Sequence, residues 1–131
     1  ISAGHCFRIT DYAAEYAKDR VQFDQPISKF QAIQHKLVDM LISAETARQS
    51  TWRVAELLDK GFSPVRETSV AKILSSEANV KCSDVGMQVM GGAGYSSEYM
   101  MEMYYRDARV TPIGGGTNEI QRNIISKLMD L

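Results

Sequence analysis

The longest regular pattern in the chain covers residues 33–58, IQHKLVDMLISAETARQSTWRVAELL. Small or apolar side chains recur within it at alternating steps of four and three residues, which places them on one face of an α-helix. These positions are Ile33, Leu37, Met40, Ala44, Ala47, Thr51, Val54 and Leu58. The segment therefore predicts a helix of about 30 residues, roughly 45 Å long, that packs against neighbouring helices at shallow angles.

Helical spacing also dominates the sequence before this segment and directly after it. A first helix is predicted from about Ile1 to Arg20, followed by a loop over Val21–Ile27. Beyond the long helix, Gly61 suits the left-handed backbone position that follows many helix ends. Ser63 is then expected to cap a third helix, with Pro64 as its first residue.

The second half of the chain predicts this third helix, a short connector and a last helix. The third helix has apolar positions at Val70, Ile73, Leu74, Ala78, Cys82, Val85 and Val89, and should stop at the glycines that begin with Gly91. The connector, expected to be partly helical, holds Glu98–Arg106. After a tight turn over residues 113–118, Thr117 or Asn118 is predicted to cap the last helix. Its apolar face is Ile120, Ile124, Leu128 and Leu131.

Three long helices and a shorter final one predict an all-α fold for residues 1–131, a four-helix bundle with mostly up-and-down connections. The long helices exceed what a domain of this size needs to cover its own core. We therefore expect part of their surface to meet another domain or subunit. Because Ile1 already lies in helical pattern with no cap before it, we expect the sequence to be a fragment of a larger protein.

Composition excludes several classes of protein. The 15 Lys and Arg residues balance the 16 Asp and Glu residues, so no basic stripe is present for nucleic acid. Charges break the apolar runs, as Asp39 does between Leu37 and Ser43, so no membrane span is expected. Cys6 and Cys82 have neither metal nor redox spacing and are predicted to be reduced thiols of the core.

Few residue patterns suggest chemistry by themselves. A di-iron bundle needs a Glu three residues before a His, whereas Ser2 precedes His5 and Ala32 precedes His35 at that spacing. No metal site and no activated nucleophile are therefore predicted. Two glycine-rich turns, residues 91–94 and 114–116, remain. Glycines simply end many helices, but they also let a ligand approach the backbone, and a turn entering a helix offers N–H groups to an anion.

Four collinear segments resemble motifs of the C-terminal domain of the acyl-CoA dehydrogenase family. Residues 19–31, DRVQFDQPISKFQ, resemble the family's Arg-x-x-Phe-Gly-x-x-Ile segment. Residues 88–95, QVMGGAGY, resemble its Gln-x-x-Gly-Gly-x-Gly-Tyr segment, and residues 106–108 and 116–122 match two more. Asp24 stands where the family usually has Gly. Aspartate tolerates a left-handed backbone better than most residues, so we expect the loop to survive.

The resemblance implies a three-domain flavoprotein that assembles as a homotetramer or dimer, with FAD held between domains of two subunits. It assigns one set of residues to the FAD of a neighbouring subunit: Arg20 and Gln22 at the pyrophosphate, Phe23 beside the cofactor, Gln31 near the adenosine, and Gln88, Met90, Gly91 and Gly92 lining the rest. Thr117 and Glu119 would contact FAD within their own subunit, at the positive end of the last helix.

The implied reaction is the oxidation of an acyl-CoA thioester to a trans-2-enoyl-CoA, in which a carboxylate removes the α-proton and FAD accepts the β-hydride. The backbone N–H of Gly115 would stabilise the developing oxyanion. Most family members carry the catalytic Glu at this position, and glycine has no side chain to act as a base. The long-chain and isovaleryl enzymes also lack this Glu. By their pattern the base would lie roughly one to two helical turns before Ile1.

Other interpretations remain open at this stage. The scaffold could belong to an acyl-CoA oxidase or a flavin monooxygenase, or to a non-catalytic homologue that acts as an assembly module. For the dehydrogenase, the expected partners are an acyl-CoA, further copies of the same chain and an electron-transferring flavoprotein. The expected compartment is the prokaryotic cytoplasm or the mitochondrial matrix.

Overall fold

The computed structural model describes all residues 1–131, and most of them are helical. The helices are α1 (Ser2–Asp19), α2 (Gln31–Asp59), α3 (Val65–Met90), α4 (Gly92–Tyr95), α5 (Met101–Val110) and α6 (Asn118–Leu128). Two short strands, β1 (Val21–Gln22) and β2 (Gln25–Pro26), and a 3₁₀ turn (Ile27–Lys29) connect α1 to α2. The predicted all-α class is confirmed, and the predicted bounds of the first two helices agree with α1 and α2 within about two residues.

Helices α1, α2 and α3 form the core, and α3 also contacts α4, α5 and α6. His5 near the start of α1 is hydrogen-bonded to Asn79 of α3, with 2.9 Å between Nδ1 and Oδ1. The C-terminal ends of the two helices also lie together, at one cleft. Helices α1 and α3 therefore run in the same direction. The Cys82 thiol contacts the carbonyl oxygen of Met40 at 3.5 Å. Both Cys6 and Cys82 are free and fully buried, which confirms their prediction as core thiols.

The buried side of α3 agrees only in part with the predicted apolar face: Cys82 and Val89 are buried, and Ala78 and Val85 pack against the core. Val70 and Leu74 are each 38% exposed, whereas small and polar residues face the core. These are Ser69, Ser76, Asn79, Ser83 and Gly86. Because α3 is surrounded by other helices, small side chains allow them to approach closely. The Ser83 hydroxyl donates to a carbonyl of its own helix, and the single O–H of Ser76 is shared between the Ile73 carbonyl and Oδ1 of Asn118, so neither buried hydroxyl is unpaired.

The segment predicted as a plain loop contains an antiparallel ribbon. Val21 pairs with Pro26, and Gln22 pairs with Gln25. Phe23 and Asp24 form the turn with φ of 54° and 63°, so Asp24 adopts the left-handed conformation expected of it. The ribbon is fastened to the end of α1 by a backbone hydrogen bond of 2.8 Å from Ile27 to Arg20.

The start of α3 was predicted incorrectly. The helix begins at Val65, one residue later than expected, and the side chain of Ser63 forms no cap. Glu67 occupies the first turn instead. Its pKa lies below the ordinary value because its own backbone N–H, and then the Arg66 guanidinium, donate to the carboxylate. Gly61 has φ of 81° after α2, as predicted.

The connector and the last helix complete the domain on the surface of α3. The connector predicted at Glu98–Arg106 includes a regular helix, α5, that continues to Val110. Thr117 caps α6, accepting a hydrogen bond of 3.3 Å from the N–H of Ile120, as predicted. Much of the apolar face of α6 stays open, since Ile120 and Leu128 are about half exposed, and Leu131 lies beyond the helix end.

Candidate functional site

A cleft of about 450 Å³ opens where the ends of α1 and α3 meet the ribbon. Five of the residues assigned by sequence contribute to its walls: Arg20, Gln22, Met90, Gly91 and Gly92. The sequence reading missed Tyr16 and Tyr99, whose rings lie edge to face at 5.9 Å beside it. In the sequence they are only aromatic residues of a helix and of a connector. Aromatic residues usually have a packing role there, so the sequence does not mark them as part of a site.

Arg20 provides a positive charge at the cleft. It follows α1 with extended backbone angles (φ −72°, ψ 116°), and its exposed guanidinium forms none of the ion pairs found in the domain. Gln22 is also exposed, with its amide donating to the carbonyl of Val21 at 2.7 Å. An arginine without a carboxylate partner is well suited to bind a phosphate oxygen.

Gly91 and Gly92 leave the backbone open along one wall. Gly91 has φ of 60° and ψ of −138°, a conformation that is essentially restricted to glycine. A Cβ atom built on Gly91 or Gly92 would have no other atom within 4 Å. A flat or charged ligand can therefore lie directly against this stretch of backbone. Met90, which precedes it, is only 3% exposed, and its side chain packs in the core.

The remaining residues of this set lie outside the cleft walls. Phe23 projects from the ribbon turn with 87% of its surface exposed, and its ring meets that of Phe30 edge to face at 6.1 Å. Gln31, at the first position of α2, and Gln88, in the last turn of α3, are both exposed. These three side chains are accessible to a partner but do not converge with Arg20 within this chain.

The second glycine-rich turn lies at the opposite end of α3. Gly115 and Gly116 have φ of 69° and 84° and are exposed, and their N–H groups donate to no backbone acceptor. The turn is bonded to Lys72, 19 residues before Gly91 on α3. That spacing corresponds to about 28 Å along the helix. Gly115, Thr117 and Glu119 therefore form a group separate from Arg20 and Gly91.

Glu119 is the acidic residue nearest to Gly115 in sequence, and its environment makes it a weaker base than an ordinary glutamate. Its pKa lies below the ordinary value because its own backbone N–H donates to the carboxylate, with a further hydrogen bond from Thr117. Three other carboxylates, those of Glu45, Glu77 and Glu102, form ion pairs with arginines. No group of three His, Cys, Asp or Glu side chains is arranged to hold a metal ion.

Comparison with known proteins agrees with the motif pattern. Residues 1–129 match the family model described as acyl-CoA dehydrogenase, C-terminal domain. The chain belongs to the acyl-CoA dehydrogenase family. It is 46% identical over 119 residues to an acyl-CoA dehydrogenase of Bacillus subtilis, covering 91% of this chain and 31% of that protein. It is 45% identical over 116 residues to the human mitochondrial short-chain specific acyl-CoA dehydrogenase, covering 88% of this chain and 28% of that protein.

A solved member of the family has the same fold. Butyryl-CoA dehydrogenase from Megasphaera elsdenii superimposes with a TM-score of 0.96 at 34% sequence identity. The match covers 99% of this chain and 34% of that chain. The sequence thus spans about a third of the length of the acyl-CoA dehydrogenases it resembles. None of its helices has the length and apolar character required to cross a membrane.

Proposed function

We propose that this chain is the C-terminal domain of an FAD-dependent acyl-CoA dehydrogenase that converts acyl-CoA thioesters to trans-2-enoyl-CoA. The observation that carries the proposal is the open Gly91–Gly92 backbone beside the unpaired guanidinium of Arg20. FAD contains a negatively charged pyrophosphate and a flat flavin ring. The guanidinium can pair with the pyrophosphate, and the open glycine backbone can lie against the ring. The chemistry of these residues therefore fits FAD.

Two sets of residues would hold two different FAD molecules. Arg20, Gln22, Phe23, Gln31, Gln88, Met90, Gly91 and Gly92 would contact the FAD of a neighbouring subunit. Thr117 and Glu119 would contact the FAD of their own subunit, at the N-terminal end of α6. The separation of the two groups along α3 supports this division. When bound, FAD supplies the acceptor for the β-hydride.

Gly115 would act on the substrate through its backbone. As the α-proton leaves, charge develops on the thioester oxygen, and a fixed N–H donor stabilises that charge most in the transition state. The N–H of Gly115 donates to no backbone acceptor and is therefore free to bind this oxygen. The base that removes the proton would be a carboxylate outside residues 1–131. The lowered basicity of Glu119 and the ion pairs of Glu45, Glu77 and Glu102 support this assignment.

Exposed apolar side chains support a larger assembly. Trp52, Leu58 and Phe62, at the far end of α2 and after it, are each more than half exposed. Contacts with the other two domains and with further subunits of a homotetramer or dimer would cover such surface. An acyl-CoA substrate and an electron-transferring flavoprotein complete the proposed set of partners. The compartment would be the prokaryotic cytoplasm or the mitochondrial matrix.

Anaerobic reduction of the flavin tests this function. The full-length holoprotein is mixed with butyryl-, isovaleryl-, octanoyl- and palmitoyl-CoA, and the flavin absorbance is followed. We expect bleaching with at least one thioester and formation of the enoyl-CoA. If none of the four thioesters reduces the flavin, the dehydrogenase proposal is wrong, and a non-catalytic homologue or a different flavin enzyme becomes the better description.

A further inference from the structure

The turn that contains Gly115 has backbone hydrogen bonds before its glycines, from the N–H groups of Ile113 and Gly114 to the Val110 carbonyl, but none from Gly115 itself. It connects α5 to α6, and its two positive-φ glycines are exposed. A Cβ atom at Gly115 would have no neighbour within 4 Å, so packing does not fix this residue. An N–H donor acts on a reacting oxygen only if its position is held to within about half an ångström. The position of Gly115 therefore depends on contacts made by the residues on either side of it.

Lys72 bonds to both ends of this turn. Its ammonium donates to the carbonyl oxygen of Pro112 at 3.1 Å and to Oδ1 of Asn118 at 2.7 Å. Pro112 precedes the three glycines and Asn118 follows them, so one side chain of α3 spans the segment. The N–H of Asn118 also donates to the Pro112 carbonyl at 3.0 Å, which closes the base of the turn.

Asn118 is itself held by other residues of α3. The Ser76 hydroxyl donates to its Oδ1 at 3.0 Å, and its amide nitrogen lies 3.5 Å from a carboxylate oxygen of Glu77. Asn118 is 4% exposed and Ser76 is 2% exposed. Buried polar groups with satisfied hydrogen bonds hold a single arrangement, because every alternative leaves one of them unpaired.

The ammonium of Lys72 is not required for the core. Burial lowers the pKa of Lys72, and the charge of Glu119 only partly offsets this effect. A methionine would fill a similar volume without losing hydration, so packing alone would not favour a lysine. Lys72 also borders a cavity of about 380 Å³ that Gly114 and Thr111 line. Through its hydrogen bonds to Pro112 and Asn118, the Lys72 ammonium connects the glycine turn to α3.

We propose that Lys72 is a positioning residue that, through Pro112 and Asn118, holds the N–H of Gly115 in place for the thioester oxygen. This inference rests on the proposed dehydrogenase function. The ammonium of Lys72 is engaged by Pro112 and Asn118, so loss of Lys72 would misplace the oxyanion donor and leave substrate binding nearly intact. A misplacement of about 1 Å can cost a factor of about 100 in rate.

The test compares Lys72→Met and Lys72→Arg with Lys81→Met in the full-length holoenzyme. Lys81 is an exposed lysine of the same helix with no hydrogen bond to the turn, and is the matched control. For Lys72→Met we expect kcat to fall about 10- to 100-fold while KM changes less than about threefold. Lys72→Arg keeps the charge and several donors and should recover part of kcat. Lys81→Met should match the unmodified enzyme.

A second variant covers the case in which Lys72→Met fails to fold. Ser76→Ala removes one hydrogen bond to Asn118 in the middle of a helix that tolerates alanine, and should lower kcat about two- to fivefold with KM unchanged. Exchange of the α-protons of 3,3-dimethylbutyryl-CoA with D₂O, followed by NMR, should slow in parallel, because this thioester has no β-hydrogen to transfer.

The outcomes separate this inference from the dehydrogenase function. If the unmodified enzyme reduces its flavin with acyl-CoA but Lys72→Met and Ser76→Ala keep its kcat, Lys72 is only structural and the inference is overturned. A change confined to KM or to thermal stability, with unchanged kcat, overturns it as well. If the unmodified enzyme itself reduces no flavin, the proposed function has failed, and the role of Lys72 falls with it.

Discussion

The two glycine-rich turns lie at opposite ends of α3 and are held in different ways. The turn after α3 is closely packed as well as hydrogen-bonded within itself: Gly94 is buried, a Cβ atom there would lie 3.0 Å from the Met87 carbonyl oxygen and from Cβ of Met90, and its N–H donates to the Gly91 carbonyl at 2.9 Å. The turn before α6 is exposed and is fixed by hydrogen bonds from Lys72 to Pro112 and Asn118. The two turns have similar numbers of glycines but are stabilised in different ways.

This difference matches the two proposed roles. A surface that receives a large cofactor needs an open, rigid wall. The backbone is open at Gly91 and Gly92, and close packing at Gly94 limits movement beside them. A single N–H that must meet a developing charge needs orientation, and hydrogen bonds provide it because they are directional. Substitutions at the first turn should thus affect folding or cofactor retention, and substitutions at the second should affect the rate of the reaction.

The largest expected effect is at the packed turn. Gly94→Val would force a branched side chain against the Met87 backbone, and we expect it to lower the free energy of unfolding of the apoprotein by about 3 kcal/mol. Gly92→Ala, in the same turn but facing open space, should stay within about 0.5 kcal/mol. Denaturant unfolding of both variants measures the contrast. An equal decrease in the free energy of unfolding for both variants would mean that packing does not distinguish these two glycines.

Removal of the Arg20 guanidinium from the cleft should weaken cofactor binding without unfolding the protein. Arg20→Ala takes away a guanidinium that has no partner in the chain, so the melting temperature of the apoprotein should not change. The dissociation constant for FAD should rise about 10- to 100-fold, the value of a charge-assisted hydrogen bond. Arg109→Ala, at another exposed arginine without an ion pair, is the control. Unchanged FAD affinity in Arg20→Ala would remove Arg20 from the cofactor site.

The cap at the second turn should have a moderate effect. Thr117→Ala removes the oxygen that accepts from the N–H of Ile120, and should cost about 1 kcal/mol of unfolding free energy. Thr117→Ser keeps that oxygen and should lose much less. Urea unfolding distinguishes them, and a serine variant as unstable as the alanine variant would show that the hydroxyl does not stabilise α6.

The smallest effect concerns pH. The pKa of Glu119 is lowered in the folded protein, so its carboxylate stabilises the fold above its ordinary pKa of 4.5 and loses this effect as pH falls through the folded value. Glu119→Gln should therefore have a slightly lower melting temperature than the unmodified protein at pH 7. The two should converge in acid, as pH falls through the folded pKa of Glu119. A difference that persists in acid would have to arise from something other than this charge.

Local sequence patterns predicted the parts of the fold that depend on local physics. The spacing of apolar residues from Ile33 to Leu58 predicted the length of α2, because helical periodicity is a property of a single segment. Gly61 marked the end of this helix, because a left-handed backbone conformation favours glycine. Thr117 was recognisable as a cap for the same reason. The family motifs then identified Arg20 and Gly91, which the structure brings into one cleft.

Features that depend on distant contacts were not predictable in this way. Lys72 bonds to residues 40 and 46 positions further along the chain, and nothing near it in sequence indicates this. The polar buried side of α3 was missed because hydrophobic spacing does not show which hydroxyls find partners: that of Ser83 bonds within its own helix, and that of Ser76 also reaches Asn118, 42 residues away. A ribbon of two residue pairs is also too short to show an alternating pattern.

A structure of the full-length protein with bound FAD tests the central claim most directly. The measured quantities are the distances from Arg20 and from Thr117 of one chain to the nearest FAD. The proposal that the two ends of α3 serve two cofactor sites predicts that these residues contact two different FAD molecules. Contact of both residues with the same FAD, or FAD bound away from both ends of α3, would contradict it.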